Sequence, residues 1–416
     1  MRARAAAAAS LLSRRRLLGI AGGTGVVGLA AGGLAGAAAR GADGRDEPAL
    51  STVGATAVPF HGRHQAGIAT PLQACGHLIA FDLRPDADRR AAAALMRRWS
   101  QAAEAMTAGR PPGDDDQIAL DAGPSSLTVT FGFGRTFFAK TGLESRLPAA
   151  LVEIPPFSAD ALDRTRSGGD LWIQIGADDP LVAVHALRVL QRAASGTAEA
   201  RWQMNGFNRA PGATRRPMTV RNLMGQIDGT NNPRPSDTGF DAKIFVSRTT
   251  GPEAWMNGGS YAVVRRIRML LDTWERLPTA RQERVIGRRK DSGAPLSGGT
   301  ETTPVNLSAT GPDGTLAVPG DAHVRVAAPE SNGGATLLRR GFSYHDGHRA
   351  DGAPDAGLLF IAWQADPTTG FIQVQRKLDG ADGLTRFIRH ESSAVFAVPG
   401  GATAPGDYVG RALLES

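Results

Sequence analysis

The stretch HLIAFDL, residues 77–83, alternates well enough in polarity to predict a β-strand. The run that follows it, residues 86–108, carries alanines together with Leu95, Met96 and Trp99 at helical spacing. A strand followed directly by a helix is the unit on which the prediction for the rest of the chain is based.

The same unit recurs along the chain. In the first half, strands are predicted over 127–134 and 171–175, and Pro180 begins a second helix. After Pro217 the pattern starts again, with strands predicted at 261–267, 323–327, 358–364 and 371–376 and helices at 273–287 and 383–388. Two α+β domains are therefore expected, each an antiparallel sheet with helices on one face.

The length of the chain agrees with this division. A chain of 416 residues suits two domains, which we place at 58–216 and 217–416.

The net charge of +7 suggests an anionic partner, but residues 1–40 hold six arginines and no Asp or Glu. Those six leave only +1 for the remaining residues, so nucleic-acid binding loses its support.

The arginine-rich beginning has the order of an export signal. SRRRLL, residues 13–18, looks like a twin-arginine signal, an apolar stretch follows over 17–34, and three alanines end at Ala39. The alternative is a membrane anchor, which the many glycines of the apolar stretch disfavour. We expect residues 1–40 to engage the twin-arginine translocase, residues 41–57 to be a linker, and the product to lie in the periplasm, the cell envelope or outside the cell.

Several kinds of site are excluded by residue counts and motifs. The single cysteine, Cys75, rules out a disulfide framework, a multi-thiolate iron–sulfur cluster and a Cys-rich zinc site. The sequence contains no HExxH or HxH spacing, no GxSxG elbow and no phosphate-binding GxxxxGK[ST] loop. The stretch from 290 to 320 is rich in Gly, Ser, Thr and Pro, and its length suggests a structural or site-covering role.

GQIDGT, residues 225–230, places Asp228 between glycines. Taken alone, this is more typical of a tight turn than of a catalytic site. The spacing of His61 and His64 alone is a weak metal signal, and surface or capping histidines are the more usual interpretation.

Read together, several segments resemble the dye-decolorizing peroxidases, and more narrowly their exported branch with the deferrochelatase/peroxidase proteins of iron-uptake operons. The resemblance runs from about Pro59 to Leu414 and is specific because its motifs occur in one order. These are PFHGRHQAGI at 59–68, the Gly225–Asp228–Gly229 turn, HVR at 323–325, LRRG at 338–341, GLLF at 357–360, FIQVQ at 371–375 and AVFAVPG at 394–400.

The resemblance implies duplicated ferredoxin-like domains and one haem b per chain, held by the C-terminal half. His323 would be the proximal iron ligand, since neutral imidazole is a strong donor to haem iron. Asp228 would relay a proton between the two peroxide oxygens. Arg339 would stabilise negative charge on the departing oxygen, while the adjacent Arg340 competes for that role or pairs with a surface carboxylate.

The other implied contacts surround these residues. Asp355 is the candidate to accept the second N–H of the proximal histidine, and the alternative is a plain turn aspartate. Arg266, Arg268 or Arg325 would face the haem propionates, and the sequence does not choose between them. Further haem-lining positions are Gly229, Thr230 and Asn231 after the aspartate, and Ala328, Pro329 and Glu330 after the ligand.

The expected reaction is the hydrogen-peroxide-dependent one-electron oxidation of small organic donors such as dyes and phenols. Two alternatives stay open, which are release of iron from intact haem and haem binding within an iron-uptake system with its partner proteins. A homo-oligomer is neither required nor excluded. Bulky donors would need redox-active side chains near the surface, and the C-terminal candidates are Tyr261, Tyr344, Tyr408, Trp255, Trp274 and Trp363.

Overall fold

The first half of the chain forms a four-stranded antiparallel sheet. The computed structural model describes residues 52–113, 115–214, 218–247 and 249–415. The predicted export signal lies outside these residues, and the predicted linker contributes one helical turn, Thr52–Ala55. The four strands are β1 (Cys75–Leu83), β2 (Thr128–Gly134), β3 (Leu171–Ala177) and β4 (Ala198–Phe207).

These strands lie in the order β4-β1-β3-β2, with helices Arg89–Thr107 and Pro180–Ala194 as the two crossovers. The side chains of Asp88 and Asp179 accept hydrogen bonds from the first backbone N–H groups of the helices, which fixes where each begins. The order β4-β1-β3-β2 with two crossover helices is the ferredoxin-like arrangement.

The second half repeats this topology with insertions. Its strands are β5 (Ser260–Met269), β6 (Leu338–Arg339), β7 (Phe342–His348), β8 (Pro354–Gln364), β9 (Ile388–His390) and β10 (Ala394–Val398). The four main strands lie in the order β10-β5-β8-β7, which matches the first half strand for strand, while β6 and β9 are short additions at the edges of β8 and β5.

The two sheets join at both edges and enclose a common core. β2 pairs with β10 and β4 pairs with β7, so the eight main strands close into one circuit. The interior is aromatic, and the Trp172 ring stacks on Phe396 with centroids 5.2 Å apart. Gly206 is required here, because a Cβ atom at this position would lie 2.5 Å from the Cβ of Phe342.

Most predicted elements exist, but two predicted strands are helical. Residues 323–327 form the helical turn His323–Val326, held by Arg325, whose guanidinium donates to the carbonyls of Val318 and Leu307. Residues 371–376 belong to a π-helical turn, Thr368–Ile372, and the α-helix Gln373–Ala381. Alternation over five or six residues cannot separate a strand from a short buried helix.

The remaining differences concern helix boundaries. The helix predicted over 273–287 is two helices, Leu271–Glu275 and Thr279–Ile286, since Pro278 interrupts it. The helix predicted over 383–388 is the 3₁₀ turn Gly383–Phe387. The other helices are Arg135–Lys140, Phe240–Ile244 and Arg411–Leu414, with 3₁₀ turns at Glu144–Arg146, Arg164–Arg166, Gly251–Met256 and Pro329–Ser331. Within the described residues no helix has both the length and the apolar character that a membrane span requires.

We expect Phe396→Ala to lower the free energy of unfolding by about 3–5 kcal/mol, because it leaves a cavity between Trp172 and Trp202. Phe207→Ala is the matched control, since that ring is 46% exposed, and should change it by about 0.5 kcal/mol. Urea unfolding followed by tryptophan fluorescence measures both, and equal losses would contradict a shared aromatic core.

Candidate active site

A cavity of about 340 Å³ lies against the outer face of the second sheet. Its walls come from β5, β6 and β8, the turn around Asp228, the helical turn His323–Val326, and the helix Gln373–Ala381. Its apolar lining includes Ile227, Ile267, Met269, Leu358, Phe360, Phe371, Val374 and Leu378. The cavity is therefore suited to a ligand with large apolar faces.

Asp228 reaches this cavity from a tight hairpin turn. Arg221 pairs with Ile227, and the backbone N–H of Asp228 donates to the carbonyl of Val220 at 2.9 Å. Gly229 follows with φ of +117°, a conformation that favours glycine. The turn expected from the sequence is thus present, and it directs the carboxylate into the cavity.

Arg339 lies on β6 and forms an ion pair with Asp228. Its Nη1 donates to Oδ1 of the carboxylate at 2.6 Å, and the two side chains are 31% and 21% exposed. Both line the cavity, so the pair is accessible to a ligand there. Asn232 fixes the strand behind it, because its amide accepts from the N–H of Arg339 and donates to its carbonyl.

The Asp228 carboxylate is held ionised. Burial acts to raise its pKa, but the Arg339 guanidinium, the hydrogen bond from Asn222 and the charge of His323 together lower the pKa below its usual value. A carboxylate in this state accepts a proton rather than donating one.

His323 lines the same cavity as the first residue of its helical turn. Its Nδ1 lies 2.7 Å from Oδ2 of Asp382, which is buried. Burial acts to lower the pKa of His323, but Asp382 raises it by more. Among the described residues Nε2 has no hydrogen-bond partner, so Nε2 is the free donor atom of this side chain.

The prediction that Asp355 partners this histidine is wrong. Asp355 is the second residue of β8, and its carboxylate accepts from Nη2 of Arg266 at 2.7 Å. Asp382 takes the place instead, since it caps the turn Gly383–Phe387 and the N–H of Gly383 donates to the Asp321 carbonyl near His323. No local pattern in the sequence distinguishes Asp382 from other turn aspartates.

The arginines predicted to face the propionates do not line the cavity. Arg266 is buried among Asp346, Asp355 and Glu391, and Arg268 also pairs with Glu391. The Arg325 guanidinium donates instead to the carbonyls of Val318 and Leu307, which precede its turn. The arginines that do line the cavity within the described chain are Arg288 and Arg339.

Arg340 points away from its neighbour Arg339, as alternation along β6 requires. It is buried, and its guanidinium donates to the carbonyl of Thr70 and to Oε1 of Gln73. Within the described part of the chain it pairs with no carboxylate, and burial lowers the pKa of Arg340 to about 10.

The other predicted contact residues all line the cavity. These are Gly229, Thr230, Asn231, Ala328, Pro329 and Glu330. The long loop 290–320 covers part of it, since Pro304, Val305 and Leu307 belong to the lining. Glu301 ties that loop to the Asp228 turn by accepting from the Thr230 hydroxyl at 3.0 Å.

The aromatic side chains expected near the surface are all buried. Trp274 and Trp363 are fully enclosed, and the most exposed of the six, Trp255, has 5% of its surface accessible. The other three are Tyr261, Tyr344 and Tyr408. A surface site for bulky donors is not found among these six residues.

Two buried polar side chains face the cavity without partners. Nε2 of Gln226 and both ring nitrogens of His390 have no hydrogen-bond partner within the described chain, although these residues are 3% and 2% exposed. Burial lowers the pKa of His390 to about 3, so its ring is neutral. Such groups require a ligand or water to complete their hydrogen bonds.

Comparison with known proteins identifies the family. Residues 65–208 match the N-terminal domain of the Dyp-type peroxidases, and residues 219–403 match the C-terminal domain. This chain belongs to the Dyp-type peroxidase family. It is accordingly a haem-dependent peroxidase, and its two halves are the duplicated ferredoxin-like domains expected from the resemblance.

The relatives of this Dyp-type peroxidase cover nearly its whole length. A dye-decolorizing peroxidase of Thermobifida fusca is 48% identical over 90% of this chain and 88% of the relative. A deferrochelatase of Yersinia pestis is 34% identical over 86% of this chain and 85% of the relative. The crystal structure of a DyP-type peroxidase from Streptomyces coelicolor is 61% identical, with a TM-score of 0.86, over 89% of this chain and all of that chain.

We expect Asp382→Asn to lower the pKa of His323, because it removes the charge that raises it and keeps a similar shape. Asp355→Asn is the matched control and should leave that pKa unchanged, since Asp355 bonds to Arg266. An NMR titration of the haem-free protein reads the imidazole directly. A shift in the control variant alone would show that the assignment of the partner is wrong.

Proposed function

We propose that the cavity binds one haem b and that the enzyme uses hydrogen peroxide to oxidise small organic donors. The observation that carries the proposal is that one apolar cavity is lined by the Asp228–Arg339 pair and by a histidine with a free Nε2. A protein that only carries haem needs no proton relay, and therefore no ionised carboxylate beside a guanidinium. Haem supplies, when bound, the iron that takes oxidising equivalents from peroxide.

The residues present fit haem in three ways. Nε2 of His323 is free because Nδ1 is committed to Asp382, which also fixes the ring orientation. The apolar walls suit the faces of a porphyrin, and the unpartnered atoms of Gln226 and His390 suit a ligand with polar edges. His323 would hold the iron, with Gly229, Thr230, Asn231, Ala328, Pro329 and Glu330 around the macrocycle.

In this proposal the side chains of the protein move a proton and stabilise negative charge. The ionised Asp228 would take the proton from one peroxide oxygen and deliver it to the other. Arg339, whose guanidinium is always charged, would stabilise the negative charge that develops on the departing oxygen. Their 2.6 Å contact holds both groups ready before peroxide arrives.

We also propose export by the twin-arginine translocase, which the residues 13–18 and the charge of the first 40 residues support.

Iron release from intact haem is the second candidate function, because relatives at 33–34% identity carry the name deferrochelatase. Metal-free porphyrin formed from haem without added peroxide, detected by its fluorescence, would favour that candidate.

We expect Asp228→Asn to slow the reaction with peroxide by about 10²- to 10⁴-fold, because the amide cannot relay a proton. Haem occupancy should not change. The rate of the absorbance change after stopped-flow mixing measures it, with the surface variant Asp241→Asn as control. A rate equal to the parent's would overturn the role of Asp228.

The pH dependence has a definite sign. A lowered pKa means that Asp228 keeps its proton-accepting form to lower pH than a free aspartate. The midpoint of the acid limb of the peroxide reaction should therefore lie below the pKa of a free aspartate. A midpoint near neutral pH in the same stopped-flow measurement would show that another group limits the reaction.

A further inference from the structure

Asn222 occupies a distinctive place beside Asp228. Its Nδ2 donates to Oδ2 of the carboxylate at 3.2 Å, while Arg339 donates to Oδ1. Among the described residues each carboxylate oxygen thus accepts from one side-chain donor, which leaves it a further lone pair. Asn222 also lines the cavity, so it lies within the same wall as the pair.

The amide of Asn222 has only one satisfactory orientation. Its Oδ1 accepts from the backbone N–H groups of Met224 at 3.0 Å and Gln226 at 3.3 Å. Rotating the amide would place its NH₂ against these two donors and its oxygen against a carboxylate. The turn that positions Asp228 therefore also fixes the donor that holds it.

The charged groups that face Asp228 come from two other elements. Arg339 lies on β6, and His323 lies on its helical turn. Arg221, in the same hairpin as Asp228, directs its guanidinium to the carbonyls of Gly225, Lys290 and Asp291 instead. Asn222 is accordingly the neutral donor to the second oxygen of Asp228.

We propose that Asn222 is the positioning residue of this site, which fixes the Asp228 carboxylate with its unused lone pairs toward the cavity. This inference rests on the proposed function of Asp228. Without the Asn222 bond the carboxylate could rotate about its contact with Arg339, and its proton-accepting lone pair would lose its fixed direction. A hydrogen bond to an ionised group also stabilises the ionised form.

The decisive variant is Asn222→Asp in the haem-loaded protein. The new carboxylate keeps the two backbone hydrogen bonds of the turn but places negative charge beside Oδ2 of Asp228. We expect haem occupancy to be unchanged and both the peroxide reaction and cyanide binding to slow by about tenfold. Cyanide is a probe without turnover, since hydrogen cyanide must give its proton to a base as it binds iron. The acid limb of both profiles should move to higher pH.

Asn257→Asp is the matched control, because Asn257 is exposed and its Oδ1 likewise accepts backbone and side-chain bonds, here from Thr249. It should leave both profiles unchanged. Should Asn222→Asp fold poorly, Asn222→Ala removes the donor without adding charge and should move the acid limb in the same direction.

The outcomes separate this inference from the proposed function. Parent-like cyanide and peroxide profiles in a folded Asn222→Asp or Asn222→Ala protein, with a slow Asp228→Asn protein, would overturn the role of Asn222 alone. A fast Asp228→Asn protein would overturn the proposed function itself.

Discussion

The pairing of β5 with β8 is the constraint on which both the core and the cavity depend. It runs without interruption from Tyr261 opposite Gln364 to Arg268 opposite Gly357. Because side chains alternate along a strand, β8 sends Leu359 and Trp363 into the aromatic interior and Leu358 and Phe360 to the cavity. A slip of one residue would exchange the two sets and destroy both.

The charged pair of the cavity and its histidine come from different structural elements. β6 provides Arg339, which pairs with Asp228. Asp228 lies in a hairpin turn, and Asn222 of the same hairpin donates a hydrogen bond to its carboxylate. The helical side provides His323, which is braced by Asp382. In each case a group that faces the ligand is held by a second residue whose own hydrogen bonds leave it little freedom, as preorganised sites require.

The sequence predicted the helices and strands of the first half well, because their apolar patterns are long and their caps, Asp88 and Asp179, are typical. It failed at residues 323–327 and 371–376, where short alternation resembled strands. In the second case the cavity-lining residues Phe371, Val374, Gln375 and Leu378 follow helical spacing, which was the overlooked signal. Asp228, His323 and Arg339, which the motifs predicted, line one cavity. Asp382 and Asn222, by contrast, act through contacts that no local pattern encodes.

A crystal structure of the haem-loaded protein tests the central claim most directly. We expect iron bonded to Nε2 of His323, with Asp228 and Arg339 over the opposite face of the macrocycle. Iron bonded to another side chain, or haem bound outside this cavity, would contradict the claim.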